Sequence, residues 1–437
     1  MTAQILLHED QEVQRFHPLT LTRPLWDLRL GFFTLAEKWA LEFPQTLIYG
    51  QLREEFNGVF DSQIQDGAQW KLRGFGDPEH SDSKENPLLQ INARFLPTKP
   101  LVEKLISWLD RPESSIRFIH EHQGKRIVVA NGITAKSEPS LSQIDEKTTE
   151  VVINDVEGLE YPWSLLEKNG EEIKRDLTRL NSSNNRLIRV LDILPGPQSG
   201  FHSNAYVDEP SALFMHPTAI VEPGVTMQTS EGPILVGAGA RIMAGSHLKG
   251  PIAIGEGAIV KMGALLYKNS TIGPHCKVGG EVSNCIFHSY SNKAHHGYAG
   301  NSIFGQWVNL GAGTTTSNLR GNYGEVRVRD WVSGEEIATG RQFLGSIMGD
   351  HVKTGINTIL NTGTIIGPSS MIFGAGFAPK WIDSFSWVNS DEGKLTDYNV
   401  EKSLLDMQRM MYRRDVKMSE YFIEMMRSIA KNKRGYP

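Results

Sequence analysis

Four polar side chains within one short, glycine-rich stretch have the types and spacing needed for acyl transfer to an amine. They are His295, Tyr298, Asn309 and Asn318, in the sequence KAHHGYAGNSIFGQWVNLGAGTTTSNLR at residues 293–320. An amine that attacks a thioester must lose a proton, and a histidine is suited to accept it near neutral pH. The phenol and the amides can hydrogen-bond a sugar amine. We therefore predict that His295 is a general base and that the other three side chains converge on its ligand.

The elements that hold these residues are predicted by a repeat that begins near His216. Apolar residues recur at steps of about six, with small residues close by, as in GPILVGAGARI and GPIAIGEGAIV. This period is typical of a hexapeptide β-helix, in which each strand turns an aliphatic side chain inward. With a coil of about eighteen residues, the four polar residues are expected on neighbouring coils of one wall. The predicted interior residues are Ile220, Val225, Ile234, Ile242, Ile254, Ile259, Ile272 and Val278.

The repeat is predicted to span residues 216–380, with one interruption at 321–343. The interruption has a strand-like alternation at Val326 and Val328 and a turn signal at Ser333 and Gly334. It is therefore predicted to be a loop or hairpin ejected from the coil. Insertions in solenoids map to one face of the stack, so we expect this one to cover a site on the lateral face.

The segments that flank the repeat have different patterns. Residues 1–185 alternate short aliphatic runs with helical patterns, which predicts a small α/β layer domain. Residues 186–215, rich in proline, glycine and serine, are predicted to be a linker. From residue 381 to 437 the repeat stops and apolar residues recur at three- and four-residue steps. This pattern predicts a C-terminal helical extension, with Asp397 as the helix N-cap.

Composition limits the partners and the compartment. The chain has 437 residues and a net charge of −5, so it lacks the basic excess typical of proteins that bind nucleic acid or anionic membranes. Its two cysteines, Cys276 and Cys285, give no disulfide framework and fit a reducing cytoplasm. The N-terminus, MTAQILLHEDQEV, is expected to be neither a signal peptide nor a membrane span.

Residues 293–320 resemble the acetyltransferase half of the bifunctional UDP-N-acetylglucosamine pyrophosphorylase/glucosamine-1-phosphate acetyltransferase family. The left-handed β-helix of that family carries a His-x-x-Tyr-x-Gly segment followed by Asn-(Ile/Leu)-Gly-Ala-Gly-Thr. The resemblance to the archaeal-type sugar-1-phosphate nucleotidylyltransferase/acetyltransferases is closer still. It extends to Asn318-Leu319-Arg320, to the Gly-Arg-x-x-Leu-Gly segment at 340–345 and to Lys-Thr-Gly-Ile-Asn at 353–357.

This resemblance implies an enzyme of nucleotide-sugar metabolism that uses acetyl-CoA as co-substrate and assembles as a homotrimer. The family's base falls on His295 by its spacing to Tyr298, and a sugar phosphate or sugar nucleotide is the implied acceptor. Ser283 stands where relatives carry a phosphate-binding lysine, so Lys293 or Lys268 would have to substitute. The implied contacts are Tyr298, Asn309, Lys293 and Lys353 for the amino sugar and its phosphate, and Ala312, Asn318 and Gly374 for acetyl-CoA.

The N-terminal half resembles a divergent bacterial branch of the same family, through FHPLTLTRPLWDLRLGFFTLAEKW at 16–39. It lacks the glycine-rich loop of a nucleotidylyltransferase. Arg23 and Arg29 either bind nucleotide or brace this segment through carboxylates. At Asn92-Ala93-Arg94 an arginine replaces the aspartate with which relatives hold Mg²⁺, so the metal site is unknown and nucleotidyl transfer is in doubt. The predicted nucleotide contacts are Thr22, Arg23, Arg29, Lys38 and Asn92.

Two other functions remain open from the sequence. One is a γ-type carbonic anhydrase, which is also built on a left-handed β-helix, with His288, His295 and His296 as zinc ligands. The other is a sugar-nucleotide sensor or scaffold in which both active sites have decayed. The missing glycine-rich loop, Arg94 and Ser283 favour this second alternative, whereas the spacing of the histidines does not match the zinc site of a γ-type carbonic anhydrase.

Overall fold

The computed structural model of the protein describes residues 4–44, 46, 48–56, 59, 70–73, 87–110, 112, 114–133, 148–181 and 192–433. It has an N-terminal α/β domain, a parallel β-solenoid and two C-terminal helices, so the predicted fold class is confirmed. Among the described residues, every helix is too short or too polar to cross a bilayer.

The N-terminal domain is a mixed sheet with helices packed on it. Its described strands lie in the order Trp70–Arg73, Ile48–Gln51, Gln4–His8, Leu88–Asn92, Lys125–Ile133, Ile116–His122 and Thr149–Val152. The first four are parallel, and Lys125–Ile133 is antiparallel to both of its neighbours. The helices are α1 (Leu35–Glu42), α2 (Lys99–Asp110) and α3 (Pro162–Asn181). Short 3₁₀ turns lie at Gln11–Phe16, Leu25–Asp27 and Glu54–Phe56, and a small hairpin joins Arg29–Leu30 to Phe33–Thr34.

The solenoid stacks short strands on three faces. Face 1 contains Leu194–Pro195, Leu213–Met215, Ile234–Val236, Ile252–Ile254, Ser270–Ile272, Ile286–Phe287, Ile303–Phe304, Ser346–Met348, Thr364–Ile366 and Trp381–Ile382. Face 2 contains Ile220–Val221, Arg241–Ile242, Ile259–Val260, Lys277–Val278, Asn292–Lys293, Asn309–Leu310, Lys353–Thr354, Met371–Phe373, Ser386–Asn389 and Lys394–Asp397. Face 3 contains Tyr206–Val207, Thr226–Gln228, His247–Lys249, Leu265–Leu266, Glu281–Ser283 and Tyr298–Gly300, and continues with Thr315–Thr316 and Ile359–Leu360.

The position of a residue within each two-residue strand decides whether its side chain points into the prism. On face 2 the first residue is outward and the second is inward, as in Lys277–Val278 and Asn309–Leu310. Six of the eight predicted interior aliphatics are therefore buried, as predicted. The prediction was wrong for Ile220 and Ile259, because both stand at the outward position of their strands.

The solenoid is longer at both ends than predicted. The strands Tyr206–Val207 and Leu213–Met215 already pair with the next coil, inside the segment predicted as a linker. The strand Ser386–Asn389 pairs with the last coil beyond residue 381. The C-terminal extension then forms two helices, α4 (Val400–Tyr412) and α5 (Glu420–Lys431). The N-cap of α4 is Asn399, because its side chain accepts the backbone N–H of Lys402 and Asp397 is still in a strand.

The N-terminal domain covers face 1. Phe214, Leu235 and Ala253 point outward from this face and pack with Phe33 and Ile173 of the α/β domain in one buried cluster. Helix α3 contacts the same strands. The Thr271 hydroxyl donates a hydrogen bond of 3.0 Å to the carbonyl of Gly31. Face 1 strands are therefore buried on both sides, whereas faces 2 and 3 alternate between exposed and buried residues.

A buried ion network also joins the two domains. The Arg23 guanidinium bonds Asp27 at 2.7 Å and Gln306 at 3.0 Å, and it contacts Asp350 of the solenoid. The Thr22 hydroxyl donates to the same Asp350 carboxylate at 2.8 Å. Burial raises the pKa of Asp27 to about 6, although Arg23 opposes that rise. Arg23 therefore neutralises two carboxylates that come from different domains.

We predict that Arg23→Ala lowers the free energy of unfolding by about 3–5 kcal/mol, because it leaves two buried carboxylates without a cation. Denaturant unfolding measures this loss. The matched control is Arg126→Ala, whose exposed pairs with Glu121 and Glu150 should contribute less than about 1 kcal/mol.

The pH dependence sharpens this test. A carboxylate whose folded pKa lies above its unfolded value favours folding at low pH, and that contribution is lost as pH rises through the folded pKa. Without Arg23 the pKa of Asp27 should rise further above its usual range. The destabilisation should therefore be smaller at pH 5 than at pH 8, and an equal loss at both values would contradict the assignment.

Candidate functional site

The predicted base and two of the three predicted acetyl-CoA residues, Ala312 and Gly374, lie along one edge of the prism, where the chain turns from face 2 to face 3. We call it the histidine edge, after the corner at residues 294–297. The next corner contains Ala312, and Gly313 N–H donates to the His296 carbonyl at 3.1 Å. The Asn357 N–H donates to the Ala312 carbonyl at 2.7 Å, and Gly374 turns the corner of the following coil. His295, Ala312 and Gly374 therefore stack on a single edge.

The histidine corner needs a glycine. Gly297 has a φ of +115°, and a Cβ atom there would come within 2.3 Å of the Thr314 carbonyl oxygen on the next coil. Only a residue without a side chain allows this approach. The tight corner presents both His295 and His296 to solvent, where both are exposed.

Lys293 braces this corner from inside the prism. It stands at the inward position of its strand, in register with Val278, and is 2% exposed. Its ammonium donates hydrogen bonds of 2.8 Å to the Gly279 carbonyl and 3.0 Å to the His295 carbonyl. Burial lowers its pKa to about 8. The predicted contact of Lys293 with substrate is therefore wrong in this geometry, because the side chain points away from the open surface and holds the backbone of His295.

Tyr298 and Asn318 form a hydrogen-bonded pair on face 3, beside the histidine edge. The Asn318 amide donates to the Tyr298 hydroxyl at 3.1 Å and to the Asn301 side-chain oxygen at 2.7 Å. A Cβ atom at Gly300 would lie 2.3 Å from the Tyr298 hydroxyl and 2.7 Å from the Asn318 amide nitrogen. The phenol therefore lies flat across the backbone of Gly300. Because Asn318 supplies a proton to the phenolic oxygen, the Tyr298 O–H remains free to donate.

A cleft of about 750 Å³ opens on face 3 at this pair. One wall is the ladder of Tyr298, Thr315, Ile359 and Phe377 from successive coils. The opposite wall is the ejected segment, whose strands Arg327–Arg329 and Glu336–Ala338 form an antiparallel hairpin. The hairpin predicted for residues 321–343 is therefore present, and it borders the face that carries Tyr298.

The hairpin side of the cleft carries three cations that the sequence did not single out as ligands: Arg320, Arg327 and Lys380. The Lys380 ammonium donates to the Arg327 carbonyl at 3.0 Å, and burial lowers its pKa. Arg327 lies 3.6 Å from the Glu336 carboxylate. The basic residues of the ejected segment were visible in the sequence, but only the fold shows that they face Tyr298.

Asn309 and Lys353 lie on face 2, around the edge from Tyr298. They are register partners, and the Asn292 amide lies 3.4 Å from the Asn309 side-chain oxygen. Burial lowers the pKa of Lys353, and Asp406 on α4 opposes that effect. The expectation of one common wall was therefore wrong for Asn309. The four predicted polar residues flank the histidine edge from two faces instead.

The five predicted nucleotide contacts are all buried in the N-terminal domain. The Lys38 ammonium is fully buried, lies 2.9 Å from Glu172 and also contacts Asp176. The Arg29 guanidinium donates to the carbonyl of Phe32. Thr22 and Arg23 belong to the interdomain network. These contacts agree with the bracing interpretation of Arg23 and Arg29, whereas nucleotide binding by these residues stays a prediction.

The strand ends of the N-terminal sheet do not fit Mg²⁺. The Asp10 carboxylate accepts hydrogen bonds from Arg94 at 2.6 and 2.9 Å and from the Asn92 amide at 2.7 Å. At the end of the same strand, Glu9 pairs at 2.9 Å with Arg53, which follows the neighbouring strand Ile48–Gln51. The Arg94 guanidinium is thus already bonded to the carboxylate that Mg²⁺ would need as a ligand. Within the described ranges, groups of three or more metal-binding side chains are absent.

The three histidines proposed for zinc lie on two different edges. His288 turns the corner between faces 1 and 2, where its Nε2 atom lies 2.8 Å from the Asp27 carbonyl. Burial and Arg23 hold its pKa well below the usual range. His295 and His296 lie on the histidine edge. His288 is thus buried on another edge and bonded to the N-terminal domain, which argues against its part in the zinc site of the carbonic anhydrase alternative.

Comparison with known proteins agrees with both halves of the fold. Residues 5–185 match the profile of the family described as sugar nucleotidyl transferase. A bifunctional sugar-1-phosphate nucleotidylyltransferase/acetyltransferase of Sulfurisphaera tokodaii is 38% identical over 145 residues, which cover 33% of this chain and 36% of that protein. The bifunctional protein GlmU of Methanococcus vannielii is 33% identical over 108 residues, or 25% of each chain. The GlmU of Methanocaldococcus jannaschii is 32% identical over 124 residues, which cover 28% of this chain and 29% of that protein.

The aligned segment spans only about a quarter to a third of these relatives. The N-terminal domain is thus nucleotidyl transferase-like, and part of the chain is similar to bifunctional sugar-1-phosphate nucleotidylyltransferase/acetyltransferases.

Proposed function

We propose that this protein transfers the acetyl group of acetyl-CoA to the amine of an amino sugar, with His295 as the general base. The observation that carries the proposal is the placement of His295, Ala312 and Gly374 on one edge, beside the Tyr298–Asn318 pair. The names of the relatives support the same reaction class.

The chemistry follows from the exposure of the imidazole. An unprotonated ring nitrogen of His295 accepts a proton from the amine while the amine nitrogen attacks the thioester carbonyl carbon. The new C–N bond forms, the C–S bond breaks and CoA leaves as the thiol once it is protonated. Lys293 fixes the His295 backbone from below, so the ring works from a rigid corner.

The other residues orient the two substrates. The free Tyr298 O–H can donate to a sugar oxygen, since Asn318 already donates to that phenol. Acetyl-CoA would extend along Ala312 and Gly374 and past Ile356, which lies at the corner between them. The cations of the face 3 cleft give the anionic acyl carrier a favourable surface.

We infer that the N-terminal domain serves this protein as a structural support and not as a Mg²⁺-dependent nucleotidylyltransferase. The Arg94–Asp10 pair supports this inference, because the carboxylate at the strand ends is bonded to an arginine and is not available to Mg²⁺. A sugar-nucleotide sensor would use the same domain. Thermal-shift measurements with nucleoside triphosphates distinguish a structural support from a sensor. A sensor domain should gain apparent stability, since a ligand that binds only the folded state stabilises it.

We also propose a homotrimer built on face 3 and the histidine edge. The chain itself covers face 1 with the α/β domain, and α4 packs against the later coils of face 2 through Lys402 and Trp387. Exposed apolar residues remain on the open surface, where Ile356 is 72% and Met262 is 67% exposed. Both lie at corners of the histidine edge, and exposed apolar side chains along one edge are typical of an association surface.

We predict that His295→Ala lowers kcat for CoA release from acetyl-CoA and amino sugar by about 10²–10⁴-fold, the usual contribution of a general base. A thiol assay measures the release. His296→Ala is the matched control, since its side chain is an exposed imidazole on the same corner. Equal activity in the wild type and His295→Ala would contradict the assigned role.

We predict that Gly300→Ala lowers kcat/KM by about tenfold or more, because the new methyl group displaces the Tyr298–Asn318 pair. Its melting temperature should stay close to that of the wild type, since both displaced side chains are at the surface. Gly321→Ala in the same cleft meets no atom within 4 Å and serves as control. If both variants keep full activity, the pair does not position substrate.

We predict that Met262→Asp combined with Ile356→Asp shifts the protein from trimer to monomer in sedimentation velocity experiments and removes acetyl transfer. The two new carboxylates would be buried against a neighbouring subunit, and burying an unpaired charge costs free energy. Tyr421→Asp, at an exposed aromatic residue on α5, should leave the trimer intact. A wild-type monomer with full activity would overturn the trimer proposal.

A further inference from the structure

Asn301 is a third member of the cluster formed by Tyr298 and Asn318, and the sequence did not mark it as a site residue. It lies at the corner where the chain turns from face 3 to face 1, directly after the strand Tyr298–Gly300. Its side-chain oxygen accepts a hydrogen bond of 2.7 Å from the Asn318 amide. The same amide donates to the Tyr298 hydroxyl at 3.1 Å. One NH₂ group therefore donates both bonds.

The protons of this cluster depend on which end of the Asn318 amide faces the phenol. A primary amide has two donors on its nitrogen and an acceptor at its oxygen. With the nitrogen towards Tyr298, the phenolic oxygen accepts a proton and its own O–H can donate to a ligand. With the amide oxygen there instead, the phenol would donate to Asn318 and have no proton left for a ligand. An acceptor at Asn301 favours the first arrangement, because only the NH₂ group can donate to it.

Backbone hydrogen bonds hold both asparagines in place. Where the ejected segment rejoins the coil, the Leu344 N–H donates to the Asn318 carbonyl at 2.9 Å. The next residue, Gly345, donates its N–H to the Asn301 carbonyl at 2.9 Å. The Asn301 N–H in turn donates to the Ser283 carbonyl of the preceding coil at 2.9 Å. With the backbone bonded in this way, the freedom that remains is rotation of the side-chain amides.

The backbone alone also gives a reason for an asparagine at this corner. The φ of Asn301 is +45°, in the left-handed region that asparagine tolerates better than most residues. Asn284 occupies the same corner one coil earlier, with a φ of +49°. Its side-chain oxygen, however, has no hydrogen-bond partner among the described residues. The two corners thus share residue type and backbone conformation, and they differ in the bond to the Asn318 amide.

We propose that Asn301 is a positioning residue, which holds the Asn318 amide in the direction that leaves the Tyr298 proton free for the amino-sugar acceptor. The proposal rests on the proposed acetyl transfer. Asn301 acts on the acceptor and not on acetyl-CoA, because Tyr298 is the contact through which it works. The ejected segment shares in this role, since the residues at which it rejoins the coil fix the backbone of both asparagines.

The test replaces Asn301 by glycine and by aspartate. Glycine keeps the left-handed backbone and removes the acceptor, so Asn301→Gly should raise KM for the amino sugar about tenfold, the effect of one hydrogen bond. A bond to a sugar oxygen is made equally before and during the reaction, so kcat should change little. Asn301→Asp retains an acceptor and should keep KM close to that of the wild type. Asn284→Gly is the matched control and should leave KM unchanged.

A double-mutant cycle with Tyr298→Phe shows whether Asn301 acts through the phenol. In the Tyr298→Phe chain, adding Asn301→Gly should raise KM no further, because the hydroxyl group that it orients is absent. Additive losses would overturn the proposal. Equal effects of Asn301→Gly and Asn284→Gly would also overturn it, since they would reduce the role of Asn301 to its backbone. A rise in KM for acetyl-CoA alone would assign Asn318 to the acyl carrier and have the same consequence.

Titration of the Tyr298 phenol separates this proposal from the proposed function. Burial raises the pKa of Tyr298, and the hydrogen bond from Asn318 opposes that rise. In Asn301→Gly the amide can turn, so the pKa of Tyr298 should rise further, whereas Asn284→Gly should leave it unchanged. NMR of protein labelled at the tyrosine Cζ atom measures this pKa, with Tyr298→Phe to assign the signal.

The two measurements fail in different ways. If the pKa of Tyr298 rises in Asn301→Gly while no chain acetylates an amino sugar, the orientation by Asn301 stands and the reaction assignment is wrong. If amino sugars are acetylated and Asn301→Gly matches the wild type in both KM and the pKa of Tyr298, the positioning role is wrong and the reaction assignment stands.

Discussion

In-register stacking of the coils is the constraint on which the rest of the structure depends. Each coil places a short strand on each of three faces, and the register of those strands decides which residues share an edge. His295, Ala312 and Gly374 are far apart in sequence, yet the stack carries them to corners of one edge. The same constraint sends Lys293 inward, where its ammonium holds the His295 carbonyl. Position in the coil, more than residue type, assigns each side chain to the interior, a face or a corner.

The N-terminal domain makes the stack asymmetric. It buries the outward residues of face 1 and locks onto the solenoid through Arg23, which neutralises Asp27 and Asp350 together. With face 1 closed, face 3 and the histidine edge are left for substrate and for other subunits. The strand ends at which a nucleotidylyltransferase works are filled by the Asp10–Arg94 and Glu9–Arg53 pairs. Thr22 and Arg23, two of the predicted nucleotide contacts, bond Asp350 and so hold the two domains together.

The sequence predicted the repeat and the histidine corner well, because both leave periodic or motif-like signals. The six-residue period identified the interior aliphatics, and the spacing of His295 to Tyr298 identified the corner. Asn309 was misplaced because it follows His295 by only fourteen residues, whereas the coil from Asn292 to Asn309 has seventeen, so Asn309 lies on the strand before the corner. Lys293 bonds backbone carbonyls, and Arg414 bonds residues of a distant part of the chain. Neither kind of partner can be recognised from residue types in the sequence.

The central claim is that acetyl-CoA and His295 meet on the histidine edge. A crystal structure of the protein with acetyl-CoA tests it most directly. We expect the thioester group to lie beside the His295 imidazole, with space for an amine between them, and the pantetheine arm to pass Ala312 and Gly374. Density for acetyl-CoA against the N-terminal domain, or on face 2 away from the corner at residues 294–297, would contradict the account.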